Sequence, residues 1–125
     1  LILTFVCFFV FSGYMVRIPA VGAFFSSLLS RNTLLVSTLS CQLISNVPTA
    51  ILLAGFATDW RPLLLGVNIG GVGTLISSMA SLITLRTYLG AHPGGVGRYL
   101  WKFTWVNALF LSVLFGVCTL RLRFL

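Results

Sequence analysis

The sequence predicts an all-α integral membrane protein, in which transmembrane helices accompany one re-entrant helical hairpin and one discontinuous helix. Its composition comes first: of 125 residues, 58% are hydrophobic and 7% charged, where an ordinary soluble domain carries roughly 25% charged residues. Too few polar side chains remain to cover a soluble surface, and mean hydropathy is +1.09. Next, the charges bound the apolar runs 1–16, 18–30, 32–58, 62–85 and 103–120, several of which reach or exceed the ~18–20 residues that cross a bilayer core. Finally, two of these runs are interrupted internally, one by Ser45-Asn46-Val47-Pro48 and one by Gly66, Asn68, Gly70, Gly71 and Gly73.

The segment 1–16 reads as a transmembrane helix, ended by Arg17 and Pro19. It begins inside an apolar run, without the positive start or small-residue cleavage site of a signal peptide, so the expectation is a truncated span. Residues 20–31 place Phe24, Phe25, Leu28 and Leu29 at helical spacing between serines. At this length the piece cannot cross, and an interfacial connecting helix is expected.

Between Arg31 and Asp59 there is no charge, yet Pro48 removes a backbone donor and drives Val47 from helical geometry. Two short helices, about 33–44 and 49–57, are too short to cross a ~30 Å core separately, which makes 32–58 a re-entrant hairpin with its tip at membrane depth. A proline-kinked full span is the plainer alternative. Trp60, Arg61 and Pro62 mark an interface and a helix start.

The run 62–86 is long enough to span, but each interior glycine weakens a helix by up to ~1 kcal/mol relative to alanine, so its glycine cluster predicts a discontinuous transmembrane helix. The competing possibility is a continuous helix that packs through Gly66 and Gly70, with Gly73, Ser77, Ser81 and Thr84 as one close-packing face. A polar loop is expected over 87–98. A last transmembrane helix follows over 99–121, with Tyr99, Trp101 and Trp105 as an aromatic belt and Arg121 and Arg123 at its far end. The basic stretch 86–102 is the better candidate for the cytoplasmic side.

The same residues narrow the chemistry. Asp59 is the single acid and His92 the single histidine, so neither a paired-carboxylate mechanism nor a histidine metal cluster can be assembled. With no nucleophile–base pair in view either, a non-enzyme is expected. Asp59 reads as a local charge pair with Arg61 or a helix cap, and His92, next to Pro93, as a solvated loop residue. Cys7, Cys41 and Cys118 lie far apart in apolar runs and read as buried thiols. The net charge of +7 comes from basic residues placed singly at the ends of apolar runs, which is a membrane-flank pattern and not a nucleic-acid stripe. The stretch NIGGVGT lacks the third glycine of a dinucleotide fingerprint and the Gly-Lys-Ser/Thr of a P-loop.

What remains is the pair of helix breaks. A helix interrupted at membrane depth exposes N–H groups with partial positive charge and C=O groups with partial negative charge. Such ends bind ions without charged side chains. In secondary transporters, half-helix N-termini face anionic substrate groups and unwound carbonyls coordinate sodium near the midplane. Ser45, Asn46 and Thr49 at one break, and Asn68 and Thr74 at the other, would orient the ion, and an acid-poor site suits an anion.

At these residues the chain resembles a known group. CQLISNVPTAILLAGF, followed by LLLGVNIGGVGTLISSMASLITLRTY, is similar to the C-terminal half of ion transporter superfamily permeases, which include the divalent anion:sodium symporters, citrate-transporter-like proteins and the arsenite permease group. The resemblance runs from about Gln42 to Tyr88 and rests on Ser-Asn-x-Pro paired, in that order, with Gly-x-Asn-x-Gly-Gly-x-Gly-Thr. It implies one repeat of an inverted-repeat transporter, each repeat giving one re-entrant hairpin and one discontinuous helix to a central site. Ser45, Asn46 and Thr49 would map onto the hairpin tip, and Asn68, Gly70, Gly71, Gly73 and Thr74 onto the broken helix. Substrate would be bound by Ser45, Asn46, Thr49, Asn68, Gly73 and Thr74, and the coupling ion by Asn46, Asn68, Gly70 and Gly71. The tip reads Ser-Asn-Val-Pro-Thr where the dicarboxylate symporters carry Ser-Asn-Thr, which suits a citrate-like or arsenite-like permease equally well.

The function so implied is that of the C-terminal part of a secondary active anion permease in a plasma or inner membrane. Its partners would be the lipid bilayer, the N-terminal half of the same transporter, a small anion, and sodium or a proton as coupling ion, in a homodimer. A sodium/proton antiporter of the same superfamily and a small structural membrane subunit are the alternatives.

Overall fold

The computed structural model describes residues 2–124. Over these residues the chain is all-helical, in the order α1 (Ile2–Arg17), α2 (Pro19–Ile44), α3 (Asn46–Ala54), α4 (Trp60–Gly70), α5 (Met79–Ala91) and α6 (Val96–Phe124). Each interruption has a local cause. Pro19 holds Ile18 in an extended conformation (φ −88°, ψ 113°), and α1 and α2 meet there at 94°. Inside α2, Asn32 leaves helical geometry (φ −163°, ψ 91°), and its Oδ1 accepts the Leu35 N–H at 3.0 Å. Asn32 therefore caps the second half of α2 as an N-cap residue does.

One residue, Ser45, separates α2 from α3. It is the positive-φ non-glycine residue among those described (φ 74°). The sequence places the start of the following helix near residue 49, but α3 begins at Asn46 because Pro48 sits within the first turn, where a missing N–H removes no intrahelical bond. Asp59 caps α4 by accepting the Arg61 N–H at 3.0 Å.

The stretch 62–86 is not one continuous helix. Helix α4 ends at Gly70, α5 starts at Met79, 71–77 is turn and bend, and Ser78 is the extended N-cap of α5. The face expected from Gly73, Ser77, Ser81 and Thr84 accordingly does not exist, because the first two lie in the break. The loop expected over 87–98 is also shorter: α5 continues to Ala91 and α6 begins at Val96. The aromatic residues explain the extension, since Tyr88 stacks on His92 (4.9 Å) and on Tyr99 (4.7 Å) and so clasps the two helices close to their ends.

The core lies between α2, α3 and α4, where Leu29, Cys41, Leu53, Phe56, Leu63 and Val67 form one buried cluster. Gly66 and Gly70 set its closest approach. A Cβ on Gly66 would stand 2.8 Å from the Leu34 carbonyl oxygen, and one on Gly70 2.8 Å from Cys41 Cβ. Backbones this close bring side chains onto the neighbouring backbone, and the Thr38 hydroxyl, which donates to Leu34 O of its own helix at 2.7 Å, also lies 3.2 Å from the Gly66 carbonyl oxygen. Helix α1 leans on α3, with Ser12 Oγ donating to Ile51 O at 2.9 Å. Helix α6 packs against α4 and buries none of its residues. It is also the helix that is by itself long and apolar enough to cross a bilayer, while α1 and α2 reach that standard together as a bent pair.

Candidate functional site: the junction of two helix breaks

The break between α2 and α3 and the break between α4 and α5 touch. The Asn46 N–H donates to Ser77 O at 3.0 Å, and Ser45 Oγ approaches the same oxygen at 3.4 Å. Four helix ends thus converge: the N-terminal ends of α3 and α5, with partial positive charge, and the C-terminal ends of α2 and α4, with partial negative charge.

Gln42, in the last turn of α2, binds the two breaks together. Its Nε2 donates to Gly70 O at 2.8 Å and approaches Val72 O at 3.3 Å, and its Oε1 accepts the Thr74 N–H at 2.9 Å. The Thr74 hydroxyl returns the contact by donating to Gln42 O at 3.2 Å. Gly73 makes this possible. Its φ of +139° belongs to glycine, and a Cβ there would overlap the Gln42 amide. Ser77, fully buried, closes the far side of the loop by donating to Thr74 O at 2.7 Å, with Gly71 O 3.0 Å from the same hydroxyl.

The residues singled out from sequence take different places around this junction. Asn46 is half-buried at the tip, and its Oδ1 accepts the Val47 N–H at 2.9 Å. Its Nδ2 lies 3.1 Å from where a Gly71 Cβ would stand, so the bare glycine is what lets the amide lie against the second break. Ser45, Asn46, Gly70, Gly71, Gly73 and Thr74 are brought together. Thr49 sits beneath them with its side chain fully buried, and its hydroxyl donates to Ser45 O at 2.7 Å, holding the tip from inside. Asn68 stands apart: it is exposed on α4, with Nδ2 donating to Leu64 O of its own helix at 2.7 Å. Gln42 and Ser77 were not singled out as site residues. Gln42 did carry a signal, as a lone amide within an apolar run that must find partners.

Beside the tip lies a cavity of about 290 Å³, walled by Phe5 and Phe8 of α1 and by Ile76, Met79 and Leu82, with Ser45 and Asn46 at its polar edge. The junction is internally satisfied, since no buried side-chain nitrogen or oxygen among the described residues lacks a partner. It combines fixed dipoles of both signs with amide and hydroxyl groups, and it contains no carboxylate. Asp59, the single acid, stands exposed at the opposite end of α4, about 16 Å of helix away.

No family model and no solved structure matches the chain. Among curated proteins, it is 44% identical over 101 residues to a protein of Methanocaldococcus jannaschii named as an uncharacterized transporter, an alignment covering 79% of this chain and 28% of that protein. It is 35% identical over 89 residues to the inner membrane protein YbiR of Escherichia coli, covering 69% of this chain and 24% of that one. The chain thus spans about a quarter of the length of these relatives. One relative is named a transporter and the other an inner membrane protein, and with the apolar span of α6 they place this chain in a membrane.

Proposed function

We propose that this chain is the C-terminal part of a secondary active anion permease, which moves an organic or inorganic anion with sodium or protons by alternating access. The observation that carries this reading is the meeting of two broken helices at one junction, with Gln42 spanning both breaks. At 1.5 Å per residue, the second half of α2 reaches about 18 Å and α3 about 14 Å, so in a bilayer the pair forms a re-entrant hairpin whose tip stays at membrane depth. Substrate anion sits against Asn46 and the N-terminal end of α3, with Ser45, Gly73 and Thr74 around it and Thr49 bracing the tip, and Asn68, exposed on α4 in this chain, joins it from the side that the second repeat encloses. The coupling ion takes oxygens of Asn46, Asn68, Gly70 and Gly71. An inverted second repeat, supplied by the N-terminal half of the same transporter, encloses the ion from the other side, and the complete protein works as a homodimer in a plasma or inner membrane. No step here is enzymatic.

The alternatives are less well supported. A sodium/proton antiporter needs a titrating group near the breaks, and Asp59 is at the wrong end of α4. A packing subunit would offer its small residues to a partner chain, whereas Gly66 and Gly70 are already used against Leu34 and Cys41 of this one.

The test is uptake in proteoliposomes. The complete transporter is expected to accumulate a di- or tricarboxylate or an inorganic oxyanion under an inward sodium or proton gradient. This chain alone is expected to insert and accumulate none, because half of the enclosing structure is missing. Gradient-driven uptake by the chain alone, or none by the complete transporter with any anion of the panel, contradicts the proposal.

A further inference from the structure

Where α5 meets α6, a cleft of about 440 Å³ opens toward the outside of the helices. At one end stand two cations, Arg98 and Lys102, one turn apart on α6. Tyr88 and Tyr99 form its floor, their rings tilted by 30° with centroids 4.7 Å apart, and Phe103 stacks on Tyr99 at 5.7 Å. From there the cleft runs along α6 over Phe103 and Val106, with the Asn107 amide, bonded to Phe103 O, at its edge. Gly95 shapes the basic end: a Cβ on it would stand 3.0 Å from the Tyr88 hydroxyl, so the bare residue lets the ring lie close over the turn.

The charge of this cleft is not balanced within the chain. The sequence has one acid, Asp59, and its carboxylate caps α4. Arg98 and Lys102 are exposed at the start of the helix best suited to span a bilayer, beside Trp101 and Trp105, which are 68% and 62% exposed. Amphipathic indoles in that position mark the headgroup level. Two cations at headgroup level, hydroxyl-bearing rings beside them and an apolar track leading toward the bilayer centre match a molecule with a phosphate at one end and hydrocarbon at the other. A free anion would leave the track over Phe103 and Val106 unused.

We propose that this cleft is a binding site for an anionic phospholipid, whose phosphate is held by Arg98 and Lys102 with Tyr88 and Tyr99, and whose acyl chain lies along Phe103 and Val106. Anionic lipid is recruited by positive charge at headgroup level. The site is separate from the junction of the breaks and does not depend on which ion is carried.

Native mass spectrometry of the complete protein in neutral detergent, titrated with phosphatidylglycerol or phosphatidylcholine, tests this. Each basic side chain near an anionic surface is worth about a factor of five in binding, so Arg98→Gln/Lys102→Gln is expected to weaken phosphatidylglycerol binding about twenty-fold and leave phosphatidylcholine unaffected. Lys102→Arg retains binding. Val106→Trp, which blocks the acyl track and keeps every charge, weakens it as well. Arg31→Gln/Arg123→Gln removes the same net charge from exposed positions elsewhere and leaves binding at the wild-type level. The proposal is overturned if that control loses as much as the Arg98/Lys102 pair, which would mean diffuse attraction. It is also overturned if glycerol 1-phosphate, which has the headgroup but no chain, competes as well as whole lipid, which would mean a free-anion site.

Discussion

In the complete transporter, Asn46→Ala and Asn68→Ala are each expected to lower anion uptake by roughly tenfold to over a hundredfold at matched expression, and Asn107→Ala to leave it unchanged. A buried hydrogen bond to a charged group is worth ~1.5–3 kcal/mol, which sets that range. Asn107 is a close control for Asn68. Each amide makes the same local bond, Asn68 Nδ2 to Leu64 O at 2.7 Å and Asn107 Nδ2 to Phe103 O at 2.8 Å, so removing either costs its helix about the same. A difference in uptake then reports on the ion and not on folding. Asn46 differs in lying between the breaks, against Gly71. Equal uptake by all three variants would remove both residues from the site.

The second large effect belongs to Gln42. Gln42→Leu deletes a donor to Gly70 O, the weaker contact to Val72 O, and the acceptor for the Thr74 N–H. Partly buried groups left without partners cost about 1–3 kcal/mol each, so the junction should open about 2–4 kcal/mol more readily. Gln42→Glu separates the two ends of the amide. It keeps an acceptor for Thr74 but turns a carboxylate toward the Gly70 and Val72 carbonyls, so it should be no better than leucine. Hydrogen–deuterium exchange reads the effect locally. Amides in 71–78 and the Asn46 N–H are expected to exchange at least tenfold faster in both variants, with the core amides around Leu53 unchanged. Wild-type exchange in 71–78 would show that Gln42 does not hold the breaks together.

Much of this arrangement is written locally in the chain. Pro19 ends α1, Ser45 to Pro48 contains the turn into α3, and the glycines from Gly66 to Gly73 contain the place where α4 stops, because proline and glycine act through backbone geometry within a turn of themselves. The glycines did not declare how they divide the work. Gly66 and Gly70 serve helix packing, and Gly71 and Gly73 serve the break, a division that depends on what lies opposite each. Gln42 was less legible still, since its partners Gly70 and Thr74 are about thirty positions away and no periodicity encodes a contact of that range. The length of α5 was missed for a related reason. Tyr88 is held by stacking on Tyr99 across a turn, and the glycine-rich, polar composition of 87–98 conceals that contact.

The Ser45 tip is expected to stand at membrane depth and still meet water. Thiol labelling measures this most directly, in the complete protein in sealed membranes with Cys7, Cys41 and Cys118 replaced. A cysteine at Ser45, half-buried at the junction, is compared with one at Leu109, 62% exposed on α6 midway along its apolar span. A charged, water-soluble thiol reagent is expected to modify Ser45→Cys, transported anion to slow this reaction, and Leu109→Cys to stay unmodified until the membrane is dissolved. If Ser45→Cys is as unreactive as Leu109→Cys in the intact membrane and both react after solubilisation, the tip faces lipid or packed protein, and the two breaks do not form an ion site.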